Sequence, residues 1–354
     1  MTINDVPLMN PVLRRGRSYL DRELLPGDEN ESRLTALLAE AGERDLAGVV
    51  VFATAHLPED LVYYANYTPT TFHGALVARP GEPPVLLAGK GGGRDHPYIR
   101  TVSWVQDIRY AADYGATLVE LTADWGDDAR IGVVGLDTTL PHAVRAGVVA
   151  ALGDRLVPID DVVATQRRRK SARERAVLAR ARGLAEEAAA AAVDAYAGGA
   201  GRRTALAAAD FAARAGGAHD CRLTVGTEGG VGTLAELDDA TAPASALIAV
   251  EYLGYWGFAA VDLDGGDPDV AALDAVVAGL RAGLLPGDVI GADKPGGDLY
   301  LINGIGTGYV ERPGPEDGLA EGDVVSIVRV RRGLDGTRFA VRTALVGVGG
   351  GREL

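Results

Sequence analysis

The chain has 354 residues, 47% of them hydrophobic, which is enough for one large or two medium domains with a substantial core. Its formal charge of -14 repels phosphate backbones, so nucleic acid is not an expected partner. The single cysteine, Cys221, excludes an internal disulfide and a cysteine-based metal cluster, and reads as a small buried hydrophobe. No apolar run is long enough to span a bilayer and no secretory segment follows Met1, so the expectation is a cytoplasmic protein without a membrane partner.

The opening, to about Asp28, is polar and reads as an arm or loop. Helical apolar spacing follows over Glu31–Arg44, with Leu34, Leu37, Leu38 and Ala41 on one face. Ala47–Ala53 is a short continuous apolar run, the signature of a strand buried on both faces. Phe72–Ala78 and Val85–Ala88 read as strands around a turn at Pro80–Pro84. Ile131–Gly135 is a further strand, Pro141–Leu152 a helix, and Leu156–Ile159 leads into a basic connector, Arg167–Lys170. The alternation predicts an α/β domain over residues 1–165.

Residues 166–354 read differently. Ser171 and Glu174 have the spacing of a capping box and open an alanine-rich helix that ends at Gly198-Gly199. A second helix covers Thr204–Ala215. Strands follow at Leu247–Leu253 and Phe258–Leu263, joined by a turn at Gly254-Tyr255. Asp269–Ala282 is a helix and Leu284–Asp288 a loop. Val324–Val330 and Phe339–Val348 close the chain as a hairpin turning at Gly333–Gly336. Gly229–Gly232 is glycine-rich but does not join a strand to a helix, so no dinucleotide site is expected there.

Four ordered stretches of this second half carry a resemblance. Arg169-Lys-Ser-Ala-Arg-Glu174 resembles the connector of the creatinase and methionine/Xaa-Pro aminopeptidase family. Gly254-Tyr255 resembles that family's Gly-Tyr hairpin. Asn303-Gly-Ile-Gly306 with Glu311-Arg-Pro313 resembles its His-Gly-Ile-Gly loop, and Leu319–Val325 resembles the strand entry after it. Upstream, Asp60-Leu-Val-Tyr63 is similar to a segment of the family's N-terminal domain. The resemblance implies an α+β fold: a C-terminal pita-bread domain preceded by a smaller creatinase-type α/β domain. It also implies a dimer, either of identical subunits or with a related chain.

The family's peptidases hold two metals with two aspartates, a histidine and two glutamates. Anchored on Gly254-Tyr255, those positions fall on Leu247, Phe258, Asn303, about Val328 and about Ala340, and the second loop histidine falls on Val310. Divalent ions of this kind need carboxylate and imidazole donors, so neither a metal nor another cofactor is expected. Creatinase works without metal through a histidine base. The matching stretch here, Leu234–Glu236, has none.

Strand alternation gives replacements to look for, because residues two apart share a face. Glu251 should share a face with Leu247, Asp262 with Phe258, and Arg338 and Arg342 with Ala340. Glu251 and Asp262 are therefore candidate proton-transfer groups. Arg338 and Arg312 are candidate anion holders. Asn303, Tyr255 and Glu311 are candidate orienting groups. Plain alternatives stand beside them: a Glu251–Arg338 ion pair, turn solvation by Asp262, a turn role for Asn303 and loop geometry for Glu311. None of the five histidines pairs with another at metal-ligand spacing. His73 is of interest because in creatinase-like dimers the N-terminal domain reaches the partner's site, where it would act as acid or base. The function expected is a metal-independent enzyme that makes or breaks a C–N bond in a small polar, amino-acid-like molecule. Hydrolysis, elimination and cyclisation are all open, and a specialised biosynthetic role is suggested by analogy. The alternative is a non-catalytic member of the fold serving as a partner subunit. A metallo-aminopeptidase is the remote third reading.

Overall fold

The computed structural model describes residues 21–69, 72–89, 96–227, 230–237, 245–265, 270–289, 298–314, 316–333 and 336–354. The expected opening arm up to residue 20, the turn residues 334–335, Thr70, Thr71, Lys90, Gly229, Asp267, Asp269 and Lys294 lie outside the described residues. The chain divides into two compact units, Met1–Gln166 and Arg167–Leu354.

The first unit is built on a six-stranded mixed sheet. Its helices are α1 (Gly27–Glu43), α2 (Glu59–Ala65), α3 (His96–Val102), α4 (Tyr114–Leu121), α5 (His142–Leu152) and α6 (Asp160–Arg168). Its strands are β1 (Gly48–Thr54), β2 (His73–Ala78), β3 (Val85–Gly89), β4 (Asp107–Ala111), β5 (Ile131–Val134) and β6 (Leu156–Pro158). They run in the order β4-β3-β2-β1-β5-β6. Every residue of β1 is buried, as its unbroken apolar run requires. Val49, Val51 and Ala53 pack with Leu34 and Leu37 of α1. Val50 and Phe52 pack on the opposite face with Leu118 and Val148. Two readings are corrected here. Helix α1 begins four residues before Glu31, and the first two residues of the basic connector, Arg167 and Arg168, are the end of α6.

The second unit opens with α7 (Ala172–Ala197). Ser171 Oγ accepts from the Glu174 amide, and Glu174 accepts from the Ser171 amide, closing the capping box. Helix α8 (Arg202–Ala215) follows, then β7 (Asp220–Thr227), β8 (Gly230–Gly232), β9 (Ser245–Tyr252) and β10 (Tyr255–Asp262), in the sheet order β10-β9-β7-β8. The β9–β10 turn is Leu253-Gly254, both with positive φ, and Tyr255 already belongs to β10. A two-residue turn of this kind suits the twist of a hairpin, and Gly254 takes the left-handed position without strain.

Helices α9 (Val270–Gly279) and α10 (Pro286–Val289) precede a second sheet of β11 (Leu299–Gly304), β12 (Val324–Gly333), β13 (Gly336–Leu345) and β14 (Arg352–Glu353), in chain order. Strand β11 is not visible in the sequence pattern, where its polar end, Asn303-Gly304, reads as loop.

Each sheet has one helix-covered face. Ala246, Ile248 and Val250 of β9 pack with Leu184 of α7 and Leu206 of α8. Val325 and Ile327 of β12 pack with Leu273 and Val277 of α9. Period-two alternation puts Leu247, Ala249 and Glu251 on the other face of the first sheet. Ser326, Val328 and Val330 take the corresponding face of the second.

Candidate functional site

The helix-free faces of the second unit's sheets enclose a cavity of about 300 Å³. Leu247 and Phe258 line it from the β9–β10 hairpin, Asn303 from β11, Ile305, Tyr309 and Val310 from the following loop, and Ser326 and Val328 from β12. Four of the five positions that the resemblance assigns to metal ligands therefore meet here, together with Val310 of the second loop histidine. The fifth does not. Register pairs Val328 with Val341, Val330 with Phe339 and Arg329 with Ala340. Phe339 thus lines the cavity, while Ala340 packs toward α9 with Leu273. The expectation that Arg338 and Arg342 share the cavity face falls with it.

The donor chemistry does not fit a divalent metal. Leucine, phenylalanine and valine offer no lone pair, and a single amide oxygen at Asn303 is not a ligand set. Among the described residues no group of three or more histidines, cysteines, aspartates or glutamates is arranged to hold an ion.

The loop that forms one wall is held from behind. Glu311, only 4% exposed, accepts from Lys170 Nζ at 3.0 Å, from the Gly308 amide at 2.7 Å, from Thr307 Oγ1 at 3.2 Å and from Arg167. Burial alone would raise the pKa of this carboxyl. The Arg167 and Lys170 charges and the Gly308 amide outweigh burial and hold the pKa at about 2. Glu311 is thus a fixed anion outside the cavity, not an orienting group for a ligand. Gly304 closes the same loop: a Cβ there would lie 2.1 Å from the Arg312 carbonyl oxygen, so no other residue fits.

The other expected site residues are dispersed. Asp262 is buried and bonded to Arg338, so each answers the other's charge instead of facing a ligand. Glu251 is buried on the same face as Leu247, opposite Trp256 and Asp220 in the strand register, but beyond the cavity lining. Tyr255 sends its hydroxyl to Glu174 at 3.1 Å, tying β10 to the capping box of α7. Arg312 is exposed and lies 3.7 Å from Asp317. His73 belongs to the first unit, where its ring packs 4.8 Å from that of Tyr114 and burial lowers its pKa. Asn303 alone among the expected residues lines the cavity.

Three polar groups that sequence reasoning passed over do line it: Ser326, Thr224 and Arg332. Ser326 was legible from alternation, being two residues before Val328 on one strand. Its hydroxyl is buried and has no hydrogen-bond partner, and neither has that of Thr343 across the strand pair. Tyr309 supplies an aromatic wall, edge-on to Phe258 at 5.1 Å and to Trp256 at 5.3 Å. Burial raises its pKa, with Arg222 partly opposing, so the phenol is a neutral donor.

No family model and no curated protein matches the sequence. Solved structures do. An X-Pro aminopeptidase from Thermotoga maritima matches with a TM-score of 0.74 and 15% identity, over 90% of this chain and 96% of its own. The chain has the pita-bread fold. A prolidase from Pyrococcus horikoshii matches at 0.69 and 15% identity, over 91% of this chain and 97% of its own. The dipeptidase PepE from Mycobacterium ulcerans matches at 0.69 and 19% identity, over 92% and 95%. At such identities the pita-bread likeness is one of architecture, and the cavity chemistry is this chain's own. No helix among the described residues is long and apolar enough to cross a membrane.

Proposed function

We propose that the second unit binds a small molecule by its apolar body in the concave cavity and does so without a dinuclear metal centre or peptide hydrolysis. One observation carries this reading. The cavity is open, yet it is lined by Leu247, Phe258 and Val328, where the resemblance expects metal-binding carboxylates. Apolar walls with a few convergent polar groups are the usual make-up of a small-molecule site, and about 300 Å³ is at the small end of the range. Lining residues lost to apolar replacement would have closed the space had they served only as core.

The test uses the purified full chain, an environment-sensitive apolar fluorophore and Xaa-Pro dipeptides with added manganese or cobalt. The fluorophore binds the wild type, and Val328→Trp loses it while keeping its melting temperature. Dipeptides are not turned over with either metal. Metal-dependent turnover, or equal fluorophore binding by Val328→Trp, would overturn the reading.

A second reading keeps some support: a metal-independent enzyme acting on a C–N bond. The support is Glu251, a buried carboxylate on the cavity side of β9. In that reading Glu251 is the base, and His73 of a dimer partner supplies the second proton-transfer group. Unchanged turnover of an identified substrate by Glu251→Gln would remove it. A heterodimer with a catalytic homologue suits the binding reading equally, and native mass spectrometry of the purified chain distinguishes it from a homodimer.

A further inference from the structure

The cavity floor has an order along it that the lining alone does not convey. Ser326, Val328, Val330 and Arg332 are successive same-face residues of β12, and all four line the cavity. The first three are buried, at 5%, 8% and 7% exposure, and Arg332 is exposed. Strand β11 runs antiparallel beside them and pairs Asn303 with Ser326, Leu301 with Val328 and Leu299 with Val330. The floor is therefore polar and neutral at its buried end, apolar in the middle and cationic at the mouth. The six residue steps of strand from Ser326 to Arg332 span about 20 Å.

We infer that the cavity takes an elongated amphipathic carboxylate. This inference rests on the binding reading above. The ligand's neutral hydrogen-bonding end meets Asn303 and Ser326, its hydrocarbon body lies along the Leu301/Val328 and Leu299/Val330 pairs, and its carboxylate meets Arg332. The buried end carries the argument. The Ser326 hydroxyl is buried with no partner, a cost that a ligand donor or acceptor removes once the side chain turns toward the cavity. That end cannot take a charge, because no ionised side chain lines it and an unpaired buried charge is expensive. Arg332 is the one charged residue in the lining, and no ion pair engages it among the described residues. A free amino acid suits this floor poorly, since its ammonium group would find no carboxylate in the lining.

The experiment measures displacement of the fluorophore from the full chain by four ten-carbon probes: decanoate, ω-hydroxydecanoate, decanol and decylamine. Expected is ω-hydroxydecanoate tightest, about tenfold ahead of decanoate, with decylamine weakest. Arg332→Gln weakens decanoate by about fivefold and leaves decanol unchanged. Ser326→Ala abolishes the preference for the ω-hydroxyl. Equal affinities for decanoate, decanol and decylamine, untouched by Arg332→Gln, would overturn the ligand class while leaving the cavity a binding site. Displacement by none of the four, with fluorophore binding still blocked in Val328→Trp, also overturns the class and not the site. Failure of the fluorophore itself to depend on Val328 overturns the site and the class together.

Discussion

Two buried polar residues of the second unit, Glu311 and Ser326, are built to opposite rules. Glu311 is a full charge surrounded by Arg167, Lys170, Thr307 and the Gly308 amide. Ser326 is neutral, equally buried, and has no hydrogen-bond partner for its hydroxyl. The first is what a frame needs: a group whose burial is tolerable only because every lone pair is answered. The second is what a receptor leaves open, a modest local cost kept where something else can meet it. Pairing one fully and leaving the other unpaired beside a cavity separates what holds the glycine loop from what meets a ligand.

The largest expected effect breaks the frame. Glu311→Ala strands the Arg167 and Lys170 charges and should destabilise the second unit by about 3–5 kcal/mol in urea unfolding. A loss below about 1 kcal/mol would mean that the cluster is not the frame. Next is pH. The Glu311 pKa falls from an ordinary 4.5 to about 2 on folding, so its contribution is complete above pH 4.5 and disappears as pH falls toward 2. That contribution is about 3 kcal/mol, and Glu311→Gln should flatten the acid limb of stability against pH within that window. An unchanged limb would assign acid sensitivity elsewhere. The smallest effect sharpens the other side. Ser326→Ala removes a hydroxyl that has no partner, so the unliganded protein should be unchanged or more stable by up to about 1 kcal/mol. A clear loss of stability would show that the hydroxyl does structural work after all.

The fold was legible where local chemistry and pattern agreed. The capping box at Ser171, the all-apolar β1 and the Gly254 hairpin are short-range signals, and the ordered motifs joined them into one architecture. Helix α6 was missed because its last turn is basic and reads as a charged linker. Strand β11 was missed because it ends in Asn303-Gly304, a pair that resembles a turn. The site was legible in position and not in chemistry. Anchoring on Gly254-Tyr255 brought Leu247 of β9 and Phe258 of β10 to the cavity, but alternation cannot say how far along a shared face the cavity extends, so Glu251 was carried too far. One residue of register in β13 exchanged Ala340 for Phe339 and removed Arg338. Pair choice was invisible as well: Asp262 and Arg338 are 76 residues apart, and only the tertiary arrangement brings them together.

The anchoring of the Asn303–Pro313 loop also bears on how such a chain can change over generations. Its restraints come from Arg167, Lys170 and the backbone of Gly308, none of which faces the cavity. Substitution can therefore proceed on the floor one side chain at a time without passing through an unfolded ancestor. A scaffold of this kind can change what its cavity accepts while the contacts that hold the loop stay in place.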